Sequence, residues 1–436
     1  MFQELAARLA LGAYGAFGRL AAPWVRVHLG RRAARGREDP TRLHERFGRP
    51  DRPRPEGPMI WLHAASVGES LSSLALLEAI AQRRPEACLL MTSGTVTSAK
   101  LMAERLPERV IHQYIPVDLP AAVEGFLDHW RPDLGLLIES ELWPTLVTKA
   151  RQHGAELALI NARMSEKSFR NWRLARPVMA QLLSSFSLVL AQSEKDRARL
   201  AALGAADCRC LGNLKSAAPA PSAEPQELAD LQDRVRGRPL WLAASTHPGE
   251  EEIVAQAHER LESKHPGLLT LLVPRHPERG SEIAASLAER GLAVALRSRG
   301  QAIEGGTDIY LADTLGELGL WFRLADIVFL GGSLVPVGGH NLLEPAKLGC
   351  ALLSGPQLAN FADIANALEA VGGLERVVDE SGLSATVARL LADPAACAAM
   401  GQAARVAAEK ESQVLEKMMA ALEPALRRVK SPQEHR

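Results

Sequence analysis

A repeated alternation of short apolar runs with stretches of helical periodicity is the feature that most constrains the fold of this chain. Six apolar runs of strand length occur in the first half, and a helical pattern follows each of them: residues 59–65, 87–93, 110–115, 133–138, 155–160 and 186–192. Continuous apolar strands that alternate with helices are typical of a mainly parallel sheet covered on both faces. The first half therefore predicts one α/β domain.

The alternation stops at a proline-rich stretch, residues 212–225 (GNLKSAAPAPSAEP), and then starts again. The later apolar runs are residues 240–244, 268–273, 293–296, 308–311, 326–330 and 351–354. For 436 residues, a prior of roughly 100 to 200 residues per domain favours two domains, with a ligand between them. We predict an N-terminal segment (1–54), a first α/β lobe (55–215), a linker (216–236), a second α/β lobe (237–410) and a C-terminal helix and tail (411–436).

The composition disfavours several classes of protein. Lys and Arg number 51, as do Asp and Glu, so the chain has no net charge and is not built to wrap nucleic acid. Its five cysteines are scattered without CxxC spacing, which disfavours a disulfide framework and a zinc site. No cluster of His, Cys and Asp has the spacing of metal ligands, so we expect no metal and no cofactor.

The N-terminal segment is apolar at first and basic afterwards. Its apolar part contains Glu4, Arg8 and Arg19 and lacks the cleavage site of a secretory signal, which makes it a poor transmembrane span. Ten arginines then accompany four acidic residues: Arg26, Arg31, Arg32, Arg35, Arg37, Arg42, Arg46, Arg49, Arg52 and Arg54, with Glu38, Asp39, Glu45 and Asp51. The pattern indicates a segment that lies on, or is anchored to, an anionic cytoplasmic membrane surface. The alternative is a helix packed on its own domain with a solvated arginine face.

Acidic residues end two predicted strands of the first lobe. Glu69 follows the run MIWLHAASVG at a predicted helix start, where strand ends and helix N-termini form the ligand crevice of open α/β sheets. It has two possible roles, complementing the helix dipole or acting on a ligand. Glu139 and Glu141 end the strand before Trp143, and a glutamate there is a candidate general base. Lys215 offers a cation near the same lobe.

Strand ends of the second lobe have residues that suit a nucleotide phosphate. Glycines in GGS (331–333) and GGHNLLEP (338–345) precede a helix, and Ser245 and Thr246 end another strand. Arg275 follows Pro274 at a third strand end, and residues 313–317 form a further helix start. Glycine backbones and arginine forks are typical of phosphate sites, although a structural glycine turn is the alternative. The motifs are neither GxGxxG nor a P-loop, which disfavours dehydrogenases and ATPases.

The chain resembles, nearly end to end, the Kdo transferases of lipopolysaccharide biosynthesis, which move 3-deoxy-D-manno-octulosonic acid (Kdo) from its CMP ester to a lipid A precursor. The stretches that carry the resemblance are LHAASVGES, TSGTVTSAK, YIPVDLP, ESELWPTL, INARMSEKSFRNW, AQSEKDRARLAALGA, GNLK, STHPGEE, LVPRHPER, ADTLGELG and FLGGSLVPVGGHNLLEP. The resemblance implies the glycosyltransferase-B architecture: two Rossmann-like α/β lobes in tandem, the acceptor on the first and CMP on the second, with an N-terminal apolar-basic membrane-associating segment.

The resemblance also implies roles for individual residues. By motif match, Glu69 is the general base, and Glu139 and Lys215 stabilise the transition state. The implied donor contacts are Pro274, Arg275, Leu315, Gly316, Glu317, Asn341, Leu342, Leu343 and Glu344, with Ser245 and His340 in neighbouring motifs.

The implied function is an inverting, metal-independent transfer of Kdo from CMP-Kdo to a lipid A precursor of the lipid IVA type. It would take place at the cytoplasmic side of the cell inner membrane, with the chain attached peripherally or by its N-terminus. Two alternatives stay open. A nucleotide-sugar epimerase of the same architecture would need neither a lipid acceptor nor a membrane segment, and a non-catalytic membrane-associated protein could bind nucleotide alone.

Overall fold

A computed structural model describes residues 2–218 and 220–429. Met1, Pro219 and residues 430–436, which belong to the predicted N-terminal segment, linker and tail, lie outside the described residues. The described chain divides into two compact units. The first unit holds residues 2–218 and 411–429, and the second unit holds residues 220–410.

The first unit is built around a seven-stranded sheet whose strand pairs are all parallel. Its strands are β1 (Met59–His63), β2 (Cys88–Ser93), β3 (Val110–Tyr114), β4 (Leu134–Ile138), β5 (Glu156–Ala162), β6 (Leu188–Ala191) and β7 (Cys208–Cys210). Their spatial order is β3-β2-β1-β4-β5-β6-β7. The alternation in the first half of the sequence thus correctly predicts a parallel sheet.

Helices cover this sheet, and several begin where the sequence supplies a capping hydroxyl. They are α1 (Phe2–Ala34), α2 (Val67–Arg83), α3 (Val96–Arg105), α4 (Pro120–Trp130), α5 (Pro144–Gln152), α6 (Glu166–Leu174), α7 (Arg176–Leu183) and α8 (Glu194–Leu203), with α17 (Val414–Arg428) from the end of the chain and 3₁₀ turns at Leu43–Phe47 and Leu214–Ala217. Ser66, Thr95, Ser165 and Ser193 each accept a hydrogen bond from the backbone of the helix that follows.

The second unit repeats the plan with another seven-stranded parallel sheet, in the order β10-β11-β9-β8-β12-β13-β14. Its strands are β8 (Leu240–Thr246), β9 (Leu269–Pro274), β10 (Val294–Leu296), β11 (Ile309–Leu311), β12 (Ile327–Leu330), β13 (Ala351–Ser354) and β14 (Leu374–Arg376). Its helices are α9 (Pro225–Val235), α10 (Glu250–Glu262), α11 (Gly280–Glu289), α12 (Leu318–Leu324), α13 (Leu343–Lys347), α14 (Ala362–Ala370), α15 (Glu380–Ala392) and α16 (Pro394–Ser412), with 3₁₀ turns at Pro277–Arg279 and Arg297–Arg299. The sequence did not predict β14, which has only three residues.

Both units are Rossmann-like, because each sheet is buried between two layers of helices. Every residue of β1 and β4 is buried, as the continuous apolar runs require. The largest fully buried side chains are Trp61 and Trp130 in the first unit and Trp241 and Trp321 in the second. Burial of one such side chain removes about 150–250 Å² from water, which contributes roughly 4–6 kcal/mol before conformational entropy is counted.

Part of the predicted linker is helical. Within 216–236, α9 begins with Pro225 in its first turn and has an apolar face that the proline-rich context concealed in the sequence. Leu231 and Val235 of this helix belong to the core of the second unit.

The strand order places a topological switch point in each sheet. In the first unit β1 lies between β2 and β4, and in the second unit β8 lies between β9 and β12. Ligands of open α/β sheets bind at the carboxyl ends of the strands where the order reverses. We call these places the first and second switch points, and the candidate site residues are described at each separately.

Helix α1 packs against α4, α5 and α7 and buries Ala7 and Leu29, yet its outer face exposes large apolar side chains. At helical spacing these are Leu5, Leu9, Phe17, Leu20, Trp24 and Val27, each 54–82% exposed. We call this set the α1 stripe. None of the helices within residues 2–218 and 220–429 combines the length and the apolar character of a membrane span.

The ten arginines of the N-terminal segment fall into two groups. Arg32, Arg42, Arg46 and Arg54 are partly buried and bind acidic side chains or backbone carbonyls of the first unit. The exposed arginines are Arg26, Arg31, Arg35, Arg37, Arg49 and Arg52. The first group holds the segment after α1 onto its own unit, so only the second group can be available to an external anionic surface.

Candidate functional site

Glu69 lies at the first switch point, in the first turn of α2. Its N–H donates to Oγ of the N-cap Ser66 at 3.3 Å. Its carboxylate reaches back and accepts from the Ser66 hydroxyl and the Ala65 N–H, each at 2.8 Å. This nearly reciprocal arrangement is a variant of the capping box that S-x-x-E spacing favours. Because the side chain is only partly buried, the carboxylate can stabilise the helix start and still reach a ligand.

Glu139 and Lys215 meet at the same edge of the sheet. Lys215 Nζ donates to Glu139 Oε1 at 2.9 Å, across 76 residues of sequence. Glu139 follows β4 directly with φ of 63°, a left-handed conformation that costs a non-glycine residue roughly 1–3 kcal/mol. Its side chain is 12% exposed and that of Lys215 is 48% exposed, so the ammonium group remains open to solvent. Such strain is typical of positions under a functional constraint.

Asn161, which the sequence analysis missed, positions the segment that carries Lys215. Its Oδ1 accepts from the Leu214 N–H at 2.9 Å, and its φ is 55°. The register between β5 and β6 shifts around this residue. A fully buried asparagine near the end of a strand is the signal that the sequence offered, because a polar side chain there needs a specific partner.

A buried hydrogen-bond network joins three strand ends beneath the first switch point. His63 at the end of β1 is fully buried, with Nδ1 2.9 Å from Thr92 Oγ1 of β2 and Nε2 3.3 Å from Glu141 Oε2. The Trp143 indole N–H also donates to Glu141. Burial opposes ionisation of Glu141, but the bonds from His63 and Trp143 outweigh it, so the pKa of this carboxyl is lowered. The network fixes the loop that carries Glu139.

At the second switch point, the buried carboxylate of Glu250 binds backbone N–H groups of the loop that begins with the glycines of GGS (331–333). Glu250, the first residue of α10, is fully buried and accepts from four backbone N–H groups: His247 at 3.0 Å, Gly332 at 2.6 Å, Ser333 at 3.0 Å and Leu334 at 2.9 Å. The expectation that residues 331–333 cradle a phosphate with their backbone is therefore wrong. These donors are already satisfied within the protein, and the acid lies in the motif STHPGEE.

Two histidines lie over this loop, whose backbone N–H groups are bound by Glu250. Nε2 of His247 is 2.9 Å from Nε2 of His340, and the two ring planes are within 12° of parallel with centroids 5.1 Å apart. His276 lies edge-on to His247 at 5.8 Å between centroids. Burial, and then the positive charge of neighbouring groups, lowers the pKa of His340 to about 4, and burial also lowers the pKa of His247.

Ser245, Pro274 and Arg275 lie at adjacent strand ends beside the histidines. Ser245 is buried with φ of 58°, where the register between β8 and β9 shifts. Arg275 follows Pro274, the last residue of β9, and its N–H donates to the Thr246 carbonyl at 2.9 Å. Its side chain is exposed and makes no hydrogen bond or ion pair with the described residues. The backbone of Arg275 is thus held while its guanidinium remains available.

Residues 315–317 present backbone and one apolar side chain to solvent. Leu315 is 81% exposed and Gly316 has φ of 86°. The Glu317 carboxylate is bound by Arg297 at 2.6 Å and by the Thr314 hydroxyl. Burial opposes ionisation of Glu317, but these bonds outweigh it and lower its pKa. The Glu317 side chain is therefore committed to the protein, which leaves the backbone of these residues to meet a ligand.

The Asn341–Glu344 stretch is only partly open. Asn341 caps the turn, because its Oδ1 accepts from the Leu343 N–H at 3.1 Å and its Nδ2 donates to Glu344 at 3.0 Å. Burial raises the pKa of Glu344. Leu342 and Leu343 are core residues, 0% and 3% exposed. Because each residue is buried as a whole, neither can be the predicted donor contact, and within this stretch only Asn341 and Glu344 are partly exposed.

One group of possible metal ligands occurs among the described residues, outside both switch points. Ligand atoms of His44, Glu45 and Asp51 lie within 4.8 Å of one another. Glu45, however, already accepts from Arg42 at 2.7 and 2.9 Å and from the Tyr114 N–H at 2.7 Å. The carboxylate is thus engaged in a structural ion pair, and we assign no metal to the group.

Comparisons with known proteins place the chain among relatives of one kind. A family described as 3-Deoxy-D-manno-octulosonic-acid transferase (kdotransferase) matches residues 41–218. A probable 3-deoxy-D-manno-octulosonic acid transferase, mitochondrial, from Arabidopsis thaliana is 36% identical over 383 residues, 85% of this chain and 86% of that protein. A 3-deoxy-D-manno-octulosonic acid transferase from Haemophilus influenzae is 33% identical over 394 residues, 89% of this chain and 92% of that protein.

Among solved structures, a UDP-GlcNAc 2-epimerase from Neisseria meningitidis bound to UDP-GlcNAc matches with a TM-score of 0.56. The match covers 82% of this chain and 100% of the epimerase at 11% identity. At that identity the likeness concerns the fold alone, so it does not favour an epimerase over a transferase.

Proposed function

The chain belongs to the family of 3-deoxy-D-manno-octulosonic acid transferases, and from this premise we propose that it transfers Kdo from CMP-Kdo to a lipid A precursor of the lipid IVA type. The first unit binds the acceptor in this proposal, and the second unit binds CMP-Kdo. The observation that carries it is the chemistry of the first switch point, where Glu69 supplies a partly exposed carboxylate and Glu139 and Lys215 form an ion pair. In the transfer of a sugar to a hydroxyl group, a carboxylate can take the hydroxyl proton and a charge pair can stabilise the charge that develops.

Glu69 is the proposed general base. A carboxylate oxygen has lone pairs for more than one hydrogen bond, so Glu69 can hold its capping contacts and still take a proton from an acceptor hydroxyl. That oxygen attacks the anomeric carbon of Kdo from the face opposite the phosphate, which inverts the configuration. A general base of this kind contributes about 10²- to 10⁴-fold to the rate.

Charge stabilisation is assigned to residues of both units. Positive charge develops on the sugar as the bond to phosphate breaks, and the Glu139 carboxylate can oppose it while Lys215 compensates Glu139 in the resting state. Arg275, whose guanidinium is open, meets the negative charge of the phosphate in bidentate fashion. The proposal assigns this charge to protein groups and is metal-independent.

The remaining donor contacts follow from what the second unit leaves accessible. CMP meets the backbone at Leu315, Gly316 and Glu317, together with Asn341 and Glu344 of the following turn, while the buried Pro274 holds Arg275 at the strand end. Leu342 and Leu343 are buried and support this turn from the core. Ser245 and His340 border the same edge.

The α1 stripe supports a peripheral position at the cytoplasmic side of the inner membrane. Six large apolar side chains share one exposed helix face, and exposed arginines follow the helix. This combination suits an interface of apolar lipid and anionic headgroups, where the acceptor lipid would also be found.

The test is product formation by the full-length protein. Incubation with CMP-Kdo made in situ and lipid IVA should give products heavier by whole Kdo residues, measured by mass spectrometry. Without the lipid acceptor, no transfer product should form. If CMP-Kdo is present and no heavier lipid forms, the proposal is wrong and the alternative of a nucleotide-binding protein gains support. If the protein converts only a UDP-sugar, the epimerase alternative gains support.

A further inference from the structure

The His247–His340 pair is a built feature of the second switch point. The pair bridges two segments 93 residues apart, one at the end of β8 and one in the loop after β12. A Cβ atom at Gly332 would lie 2.9 Å from His340 Nε2 and 3.3 Å from a carbon of the His247 ring. Gly332 also has φ of 64°. Glycine is therefore required beneath the two rings for both space and backbone conformation.

Because Glu250 binds the N–H groups of the loop after β12, the imidazoles of His247 and His340 are the polar groups there that remain available to a ligand. Its carboxylate accepts from the N–H groups of Gly332, Ser333 and Leu334, so these amides cannot also bind an anion. Glu250 further accepts from the His247 N–H, which fixes the backbone of one member of the pair. An anion at this part of the edge would meet the ring nitrogens and Arg275, not the glycine backbone.

The pair can accept a proton without losing its own hydrogen bond. A contact between two Nε2 atoms at 2.9 Å is a hydrogen bond that needs one proton: one ring carries it as an N–H donor, and the Nε2 atom of the other ring is the acceptor. A second proton can enter at the Nδ1 atom of the donating ring, and the shared bond remains. The charged form is an imidazolium that donates to a neutral imidazole.

Burial, together with neighbouring positive groups, lowers the pKa of both imidazoles of the pair. After burial, the largest influence on His340 is His247 itself, followed by Arg275 and His276, and together they lower its pKa to about 4. His247 faces Glu250 and Glu251 from α10 and His276 and Arg275 from the end of β9. A phosphate reverses the sign, since one negative charge at about 4 Å and an effective dielectric of about 20 raises such a pKa by roughly 3 units.

We propose that the His247–His340 pair is a phosphate-binding group of the donor site that takes up a proton when the phosphate of CMP or CMP-Kdo binds. The inference rests on the proposed function. In the transfer step, the acceptor oxygen bonds to the anomeric carbon and its proton goes to Glu69. The bond from that carbon to the phosphate oxygen breaks, and its electron pair leaves with CMP. The imidazolium then stabilises the additional negative charge that the phosphate gains.

Calorimetry of CMP binding tests this inference with the full-length protein. Binding is measured at pH about 7 in several buffers of different ionisation enthalpy, because the slope of the observed enthalpy gives the protons taken up. We expect an uptake of about half to one proton per CMP, after correction for the second ionisation of CMP itself near pH 6. The affinity should rise several-fold, and at most about tenfold, for each unit that the pH is lowered.

Cytidine, which has no phosphate, should bind without proton uptake. His340→Gln should lose the uptake and bind CMP at least tenfold more weakly. His265→Gln, which alters a histidine at the opposite end of the strands, should match the unmodified protein. CMP binding with an enthalpy independent of the buffer would refute the role of the pair and leave the proposed function standing. A complete lack of CMP binding would overturn the proposed function as well.

Discussion

From the four hydrogen bonds to Glu250 we predict how far the substitution Glu250→Gln lowers the stability of the second unit. In Glu250→Gln, one oxygen can still accept two N–H bonds, but the new amide group would direct its own N–H toward the other two donors. Bonds to a charged acceptor are worth roughly 1.5–3 kcal/mol each. Loss of two, softened by local relaxation, should destabilise the second unit by about 3 kcal/mol.

Differential scanning calorimetry measures this loss. For a unit of 150–250 residues, each kcal/mol lowers the melting temperature by roughly 2–4 °C, so the transition of the second unit should fall by about 6–12 °C. The first-unit transition should not move. The matched control is Glu252→Gln on the same helix turn, because that exposed side chain has only a 3.6 Å contact with Arg290 and a 3.4 Å hydrogen bond from Gln256. If both variants melted within about 2 °C of each other, the four bonds would not be what holds the loop.

Three further predictions concern other parts of the molecule. Glu139→Gly removes the left-handed strain along with the carboxylate, so stability should stay within about 1 kcal/mol of the original in urea denaturation while transfer is lost; a large loss of stability would show that the residue is mainly structural. Because the pKa of Glu141 is lowered, its bond to the buried His63 imidazole stabilises the fold above the ordinary carboxyl pKa, and this stability is lost as the pH falls through the lowered value. In Glu141→Gln, the free energy of unfolding should therefore depend less on pH in the acidic range. Parallel curves for the variant and the unmodified protein would contradict this. Phe17→Glu with Trp24→Glu should reduce sedimentation with anionic vesicles at least tenfold, whereas Val406→Glu, at an exposed apolar residue of the second unit, should not; equal binding would remove the α1 stripe from the membrane contact.

The sequence predicted those features that depend on local pattern. The alternation of apolar strands and helices gave both parallel sheets, since buried strands must be apolar along their whole length. The apolar run MIWLHAASVG placed Glu69 at a helix start, and the structure has it in the first turn of α2. The three-residue strand β14 was missed because so short a run has no recognisable periodicity.

Features that depend on distant contacts could not be read in advance. The contact of His63 with Glu141 spans 78 residues, and that of Glu250 with Gly332 spans 82. Each partner alone fits several roles, and only the fold brings them together. For the same reason the glycines after β12 suggested a phosphate cradle, although an internal carboxylate already accepts from the N–H groups of Gly332, Ser333 and Leu334. Leu342 was matched by motif, and its burial became apparent only when α13 was packed against the sheet.

The role of Glu69 is the central claim, and substitution by glutamine tests it most directly. Glu69→Gln keeps an oxygen that can accept a capping hydrogen bond, so the helix start should survive, but the amide cannot take a proton from the acceptor. Glu78→Gln, an exposed glutamate later on the same helix, is the control. Transfer of Kdo to lipid IVA, measured by product mass over time, should fall by about 10²- to 10⁴-fold in Glu69→Gln with CMP affinity unchanged. Turnover close to that of the Glu78→Gln control would contradict the account.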